Sequence, residues 1–287
     1  MDEMTIAERL LYSTVKITSF IGENAMGTGT GFFMRFAERD ERFIPAIVTN
    51  KHVVRGADRI VAVCHFDEGD RPSGKFVACT IYIVAGSYID HPDEAVDLCA
   101  IPMGDIMNKA LNVGTPIFMQ WLDKGIIPED EDWDHFDAIE DVTMIGCPNG
   151  ISDEVNNLPM TRRGITASPL SKKYNGKEEF MVDMACFPGS SGSPVFIYDR
   201  NGYLDRKTNS YRVGAQRILL VGILYAGPQI ANNGQVILAQ PPQVMVAAMM
   251  HLGNVIRSSA LHVIDVEFCK RFLETSAPAS MVEQLAE

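Results

Sequence analysis

The sequence predicts a mostly β protein: two antiparallel, six-stranded barrels with helices at the N- and C-terminal ends. Two observations lead there. From Thr14 onward the chain is a succession of short β-branched and aromatic runs, broken repeatedly by Gly, Asn, Asp and Pro. Those runs fall into two series of similar length, separated by a polar stretch at Asn108–Gly114.

Taken in order, Thr5 to Leu11 has the apolar spacing of a short helix, with Thr5 and Glu8 placed as a capping pair. The first series of strands is expected at Thr14–Phe20, Gly29–Phe36, Phe43–Thr49, Ile60–Cys64, Lys75–Val84 and Leu98–Met103. The second is expected at Thr115–Met119, Asp141–Gly146, Met160–Ala167, Phe180–Met184, Ser193–Tyr198, Arg217–Tyr225 and Gln235–Ala239. Gln243–Leu252, carrying Val244, Val246, Ala247, Met249 and Met250, reads as a helix, and Val263–Leu273 as another. The expected organisation is an N-terminal helix and first barrel over 1–107, linker and second barrel over 108–241, and C-terminal helices packed on the barrels over 242–287. No internal repeat is strong enough to use.

Composition narrows the function. The chain has 287 residues, 46% of them hydrophobic and 22% charged, which is ordinary for a soluble globular protein. A net charge of −12 argues against a nucleic-acid binder, because phosphate contacts need clustered Lys and Arg. No run approaches a membrane span. The start, Met1 to Arg9, is acidic and unlike a signal peptide. The six cysteines (Cys64, Cys79, Cys99, Cys147, Cys186, Cys269) lie mostly in apolar runs without metal spacing. They read as reduced core thiols of a cytoplasmic protein, with a disulfide framework as the alternative. The acidic segment Glu129–Asp137 lacks the Gly and spaced carboxylates of a Ca²⁺ loop and reads as a solvated insertion, with gating of the cleft or repulsion of acidic substrates as alternatives. Lys172-Lys173 and Tyr211-Arg212 are small basic spots.

Three segments carry chemistry. Pro188-Gly189-Ser190-Ser191-Gly192-Ser193-Pro194 sets serines among glycines in a loop that opens an apolar run. A serine hydroxyl is a poor nucleophile unless a base takes its proton and donors await the oxyanion. Small-residue punctuation is by itself mostly turn chemistry. Ile47-Val48-Thr49-Asn50-Lys51-His52-Val53-Val54 places a His after a strand-like run, shortly after the glycine-rich Gly27-Thr28-Gly29-Thr30-Gly31. A lone His there is more often a core or surface residue than a base. Val96-Asp97-Leu98-Cys99-Ala100-Ile101 sets an Asp in an apolar run, where a carboxylate is costly without a partner such as an imidazole N–H. Together they run in the order His, Asp, Ser.

Thr-Asn-x-His-Val-Val, Asp-Leu-x-Ala-Ile and Gly-x-Ser-Gly-Ser-Pro in that order resemble the chymotrypsin-fold serine peptidases, closest to the bacterial trypsin-like branch that includes the HtrA peptidases. Ile145–Gly150, Arg163–Ser168 and Phe180–Ala185 resemble lesser landmarks of the same family. The likeness runs from about Ser13 to about Met250. It implies a serine endopeptidase in which Ser191 is the nucleophile, His52 the general base and Asp97 the group that orients His52. Those three roles are the ones that the resemblance to this family implies. Asp93, in a polar stretch with His91 and Glu94, is the rival for the third role. The backbone N–H groups of Gly189 and Ser191 would form the oxyanion hole. Ala185 and Cys186 would floor the main pocket, and Tyr225, Ala226 and Gly227 would bind substrate along a strand edge.

Three positions depart from the family. Tyr225 stands where many relatives carry a Ser that touches the catalytic Asp, which leaves the pocket shape open. Val53 stands where secreted members often have Cys. Ser190 stands where digestive relatives place an Asp that receives a freshly cleaved N-terminus, so no propeptide removal is expected. The stretch beyond Met250 is too short for the PDZ domains that HtrA proteins append. The implied partners are a protein or peptide substrate and an activating protein; no cofactor, metal, nucleic acid or membrane is implied. A non-catalytic peptide- or protein-binding module on the same fold is the alternative, followed by an esterase. The Gly-x-Ser-x-Gly elbow of α/β-hydrolases is not matched, since position 193 is Ser and the order of the three residues is reversed.

Overall fold

The computed structural model describes residues 4–227, 229–235 and 243–274. Helix α1 (Ile6–Tyr12) starts at Thr5 with the expected reciprocal cap, in which Thr5 accepts from Glu8 N–H and the Glu8 carboxylate accepts from Thr5 N–H. The first sheet comprises β1 (Thr14–Ile21), β2 (Asn24–Arg39), β3 (Arg42–Thr49), β4 (Arg59–Asp67), β5 (Pro72–Tyr82), β6 (Ile89–Asp90), β7 (Cys99–Pro102) and β8 (Ile117–Phe118). Its antiparallel order is β5-β4-β1-β2-β3-β7-β6, with β8 on β4. Helix α2 (Lys51–Val54) is a single turn after β3, and α3 (Gly104–Asn112) occupies much of the stretch read as linker. The signal for α3 was present, as Ile106 and Met107 pack against the first sheet's core.

The expected six-stranded first barrel is instead an open sheet of eight strands. Edge strand β6 has only two residues, and the chain leaves β5 through a turn with Gly86 at φ +80°. Too few backbone groups face each other there to close the seam. The second half does close. Strands β9 (Asp141–Gly146), β10 (Met160–Thr166), β11 (Glu179–Asp183), β12 (Pro194–Asp199), β15 (Arg217–Ala226) and β18 (Leu252–Arg257) form a barrel in the order β10-β11-β18-β15-β12-β9. Between them lie two hairpins, β13 (Gly202–Asp205) with β14 (Ser210–Val213), and β16 (Gln229–Gln235) with β17 (Gln243–Met249).

The helix expected at Gln243–Leu252 is therefore a correction. Its first seven residues are strand β17, and Leu252 begins the sixth barrel strand. Val244, Val246 and Ala248 alternate as readily as they repeat at helical spacing, and His251 at φ +62° breaks the chain between the two strands. The C-terminal helix is α4 (Ala260–Cys269), continued by one wider turn over Lys270–Glu274. Of the strand expected at Gln235–Ala239, residues 236–239 lie outside the described residues.

Strand alternation explains how the two halves join. Along β2, Phe33 faces the first sheet's own core with Val15, Ile17, Ile47 and Ile60. Phe32, Met34 and Phe36 face the other way, into a cluster shared with Ile145, Phe196 and Ile256 of the barrel and Leu261, Ile264 and Phe268 of α4. Phe36 and Phe268 stack at 4.6 Å. The acidic segment is anchored rather than free. Trp133 and Phe136 enter the barrel core, Asp132 pairs with Lys207 at 2.6 Å, and Glu140 pairs with Arg217 at 2.7 Å.

Asp265 of α4 is buried and spends both oxygens on the first half, accepting from Ala37 N–H at 2.6 Å and from Lys124 Nζ at 2.6 Å. Asp265→Ala leaves an N–H and a cation without acceptors. It is expected to cost about 2–3 kcal/mol in urea unfolding, more than the loss of one exposed ion pair would.

Candidate active site

The segment before α2 brings the first two residues together. Asn50 stands at the N-cap position but does not cap the helix; its Nδ2 donates to Asp97 O at 2.7 Å. His52 N–H donates to Asp97 Oδ1 at 3.0 Å, and His52 Nδ1 meets Asp97 Oδ2 at 2.5 Å. An ionised carboxylate only accepts, so Nδ1 carries the proton and Nε2 presents its lone pair. The His52 side chain is 45% exposed and that of Asp97 24%. Burial pushes the Asp97 carboxyl up, but the hydrogen bonds and charge of His52, with Arg55 nearby, outweigh it and hold the group below the usual carboxylate range. Asp93 does not compete, because its carboxylate accepts from Ala95 N–H at 2.9 Å within its own turn.

Thr30 of β2 holds the loop that carries Ser191, and it is fully buried. Thr30 N–H donates to Ser191 O at 2.8 Å, and its hydroxyl donates to Gly189 O at 2.9 Å while accepting Cys147 N–H at 2.9 Å. Thr30 O accepts the Thr49 hydroxyl at 2.7 Å, three residues before His52. Gly192, at φ +88°, lies so close that a Cβ would sit 1.9 Å from Thr30 O and 2.6 Å from Thr49 Oγ1. Only glycine fits there. Sequence reasoning noticed the Gly29-Thr30-Gly31 run but assigned Thr30 no part.

The backbone donors of the loop have a fixed aim. Asn149 N–H donates to Pro188 O at 2.5 Å. The peptide joining Pro188 to Gly189 is trans, so the Gly189 N–H points opposite to that carbonyl, away from the Cys147–Gly150 turn. Among the described residues no acceptor is bonded to Gly189 N–H or Ser191 N–H. Gly189 is at φ +84°, and a Cβ there would meet Cys147 O at 2.7 Å. The Ser191 hydroxyl donates to Tyr225 O at 3.3 Å, and no bond joins it to His52.

The family model described as trypsin-like peptidase domain matches residues 29–204. The chain belongs to this family. Solved structures similar to it include the following two. A serine endoprotease from Yersinia pestis is 14% identical, with a TM-score of 0.47, over 94% of this chain and 69% of that one. The Rv3671c protease in an inactive form is 15% identical, with a TM-score of 0.41, over 91% and 89%. No curated protein sequence matches the chain.

Beside Ser191 this peptidase domain has a pocket of about 260 Å³, lined by Cys186, Phe187, Pro188, Ser191, Leu224, Ala226 and Gly227. Of the residues expected there, Cys186, Ala226 and Gly227 are on its wall, and Tyr225 offers its carbonyl to Ser191. Ala185 is not on the wall, and Phe187, which sequence reasoning missed, is. Phe187 is braced by the Arg162 guanidinium at 5.0 Å and by the edge of His251 at 5.7 Å. Burial pushes the Cys186 thiol up to about 11, so it stays protonated near neutral pH. The Tyr225 hydroxyl does not reach for Asp97. It donates to Glu179 at 2.9 Å, and burial followed by that bond raises its pKa well above the ordinary phenol range.

Thr30→Val keeps the shape and removes one donor and one acceptor. It is expected to cost about 1–3 kcal/mol in urea unfolding, with faster hydrogen exchange at Cys147 N–H than in the unsubstituted protein.

Proposed function

We propose that this trypsin-like peptidase domain is a serine endopeptidase, cleaving peptide bonds of protein substrates through Ser191, His52 and Asp97. The observation that carries the reading is the His52–Asp97 pair, whose doubly bonded carboxylate leaves Nε2 as the basic nitrogen. In the reaction, Ser191 Oγ attacks the peptide carbonyl while His52 takes its proton, then returns it to the leaving amine. Water hydrolyses the acyl-enzyme by the same route in reverse. The unused N–H groups of Gly189 and Ser191 receive the oxyanion, where losing one donor costs about 3 kcal/mol of barrier. The Ser191 hydroxyl must first give up its bond to Tyr225 O. That resting bond favours a second reading, a peptide-binding module in which Ser191 stays turned away from His52.

Labelling with a fluorophosphonate separates the two. The expected result is one adduct per chain on Ser191, at the mass of the uncleaved protein, abolished in Ser191→Ala with the fold intact. No adduct at any concentration favours the binding module. An adduct only on N-terminally trimmed chains overturns the expectation that activity needs no cleavage, which rests on the uncharged Ser190 beside the nucleophile.

Among the described residues the pocket wall has no charged side chain to meet a Lys or Arg. Cleavage of a peptide library is therefore expected after small to medium apolar residues. A profile dominated by Arg or Lys at P1 would show that a carboxylate such as Asp183 reaches in.

A further inference from the structure

Lys51 lies between Asn50 and His52 and is only 6% exposed. A lysine that deep ordinarily meets a carboxylate. This one does not: Nζ donates to two main-chain carbonyls, His91 O at 2.7 Å and Asp93 O at 2.9 Å, and no ion pair joins it among the described residues.

The loop it grips, residues 91–98, connects β6 to β7 and carries Asp97. The loop's own bonds fix its shape. His91 N–H donates to Leu98 O at 2.9 Å, Val96 N–H to Asp93 O at 3.1 Å, and Asp93 N–H to His91 Nδ1 at 3.2 Å. None of these ties the loop to α2. Its ends are held by strand pairing, Cys99 standing opposite both Thr49 and Asp90. Between those ends three consecutive residues reach it, with Asn50 on Asp97 O, Lys51 on the 91–93 arm, and His52 on the Asp97 carboxylate. Asn50 and the pairing at Cys99 hold the Asp97 end, and the two Lys51 bonds hold the other arm.

We propose that Lys51 is a positioning residue: by fastening the 91–93 arm to helix α2, it keeps the Asp97 carboxylate in line with His52 Nδ1. The proposal rests on the reading of His52, Asp97 and Ser191 as an acylating site. Reacting groups tolerate little displacement, since a misplacement of about 1 Å costs about 100-fold in rate.

The test is the second-order rate of fluorophosphonate labelling in a double-mutant cycle on the full chain. Lys51→Met is expected to slow labelling by about 10- to 100-fold. In an Asp97→Asn background the same change is expected to slow it by less than about twofold, because the carboxylate through which Lys51 acts is already gone. A plain structural fastener would slow both backgrounds by the same factor, and that result overturns the proposal. So does a folded Lys51→Met that labels within about twofold of the unsubstituted rate while Asp97→Asn is crippled. If Lys51→Met does not fold, Lys51→Gln is read in the same cycle with the same two outcomes; it keeps a polar head but is too short for both carbonyls. Asp97→Asn labelling at the unsubstituted rate would instead overturn the reading of the site itself, and this proposal with it.

Discussion

The arrangement of the site depends on one buried threonine. Thr30 makes four hydrogen bonds, two with its backbone and two with its hydroxyl, to Ser191, Gly189, Cys147 and Thr49. Each is worth about 1 kcal/mol net in isolation. Their importance is geometric, because they tie three separate segments to one residue of β2. Two belong to the barrel, the Ser191 loop and the turn behind it, and the third is the end of β3 that leads into α2. Without that tie the Ser191 loop would be referenced only to its own barrel. With it, Ser191 and His52 are measured from the same strand.

The close approach has a consequence for the amino acids around it. A Cβ on Gly192 would collide with Thr30 O, one on Gly146 with the Ser193 hydroxyl, and one on Gly189 with Cys147 O. The loop is thus packed against bare backbone on two sides, which limits how far it can relax. The orientation of the Gly189 N–H is a separate matter, since a peptide can flip without moving its α-carbons. Here the Pro188 carbonyl is engaged by Asn149 N–H, so a flip would give up that bond and bring the carbonyl round to the side that Gly189 N–H now faces, where the oxyanion is proposed to sit. Asn149 at φ +52° can make the contact because Asn tolerates the left-handed region.

What the sequence made legible follows physical lines. His52, Asp97, Ser191, Gly189 and the pocket residues Cys186, Ala226 and Gly227 sit in short local patterns; the structure bonds His52 to Asp97 and sets Ser191 with Cys186, Ala226 and Gly227 around one pocket. Most strands were legible as β-branched runs between turn residues. The failures share a cause, which is that local pattern does not encode closure. Val244, Val246 and Ala248 fit period two and helical spacing alike, and only the pairing of β17 with β16 decides between them. The first sheet reads as strand after strand, yet its seam depends on the two-residue β6. Thr30 and Lys51 escaped notice because their roles lie wholly in long-range bonds. Phe187 was passed over because the resemblance drew attention to the residues just before it.

Burial is used differently on the two sides of the cleft. On the barrel side it excludes charge: the pocket wall is apolar or small, and the Cys186 thiol is kept neutral by its surroundings. On the side of the first sheet it encloses a charge, the Lys51 ammonium. Lys51 and the exposed Arg55 both pull down on Asp90 against the burial that raises it, and Arg55 pulls down on Asp97 as well. A buried ammonium is costly to desolvate, and its two hydrogen bonds offset that cost only while the 91–98 loop keeps its place. Lys51 therefore resists small displacements of the loop more steeply than apolar packing would, because a carbonyl moved out of its reach leaves a buried cation with an unused donor. A carboxylate that must hold an imidazole in register is best fixed by interactions that lose energy sharply with distance.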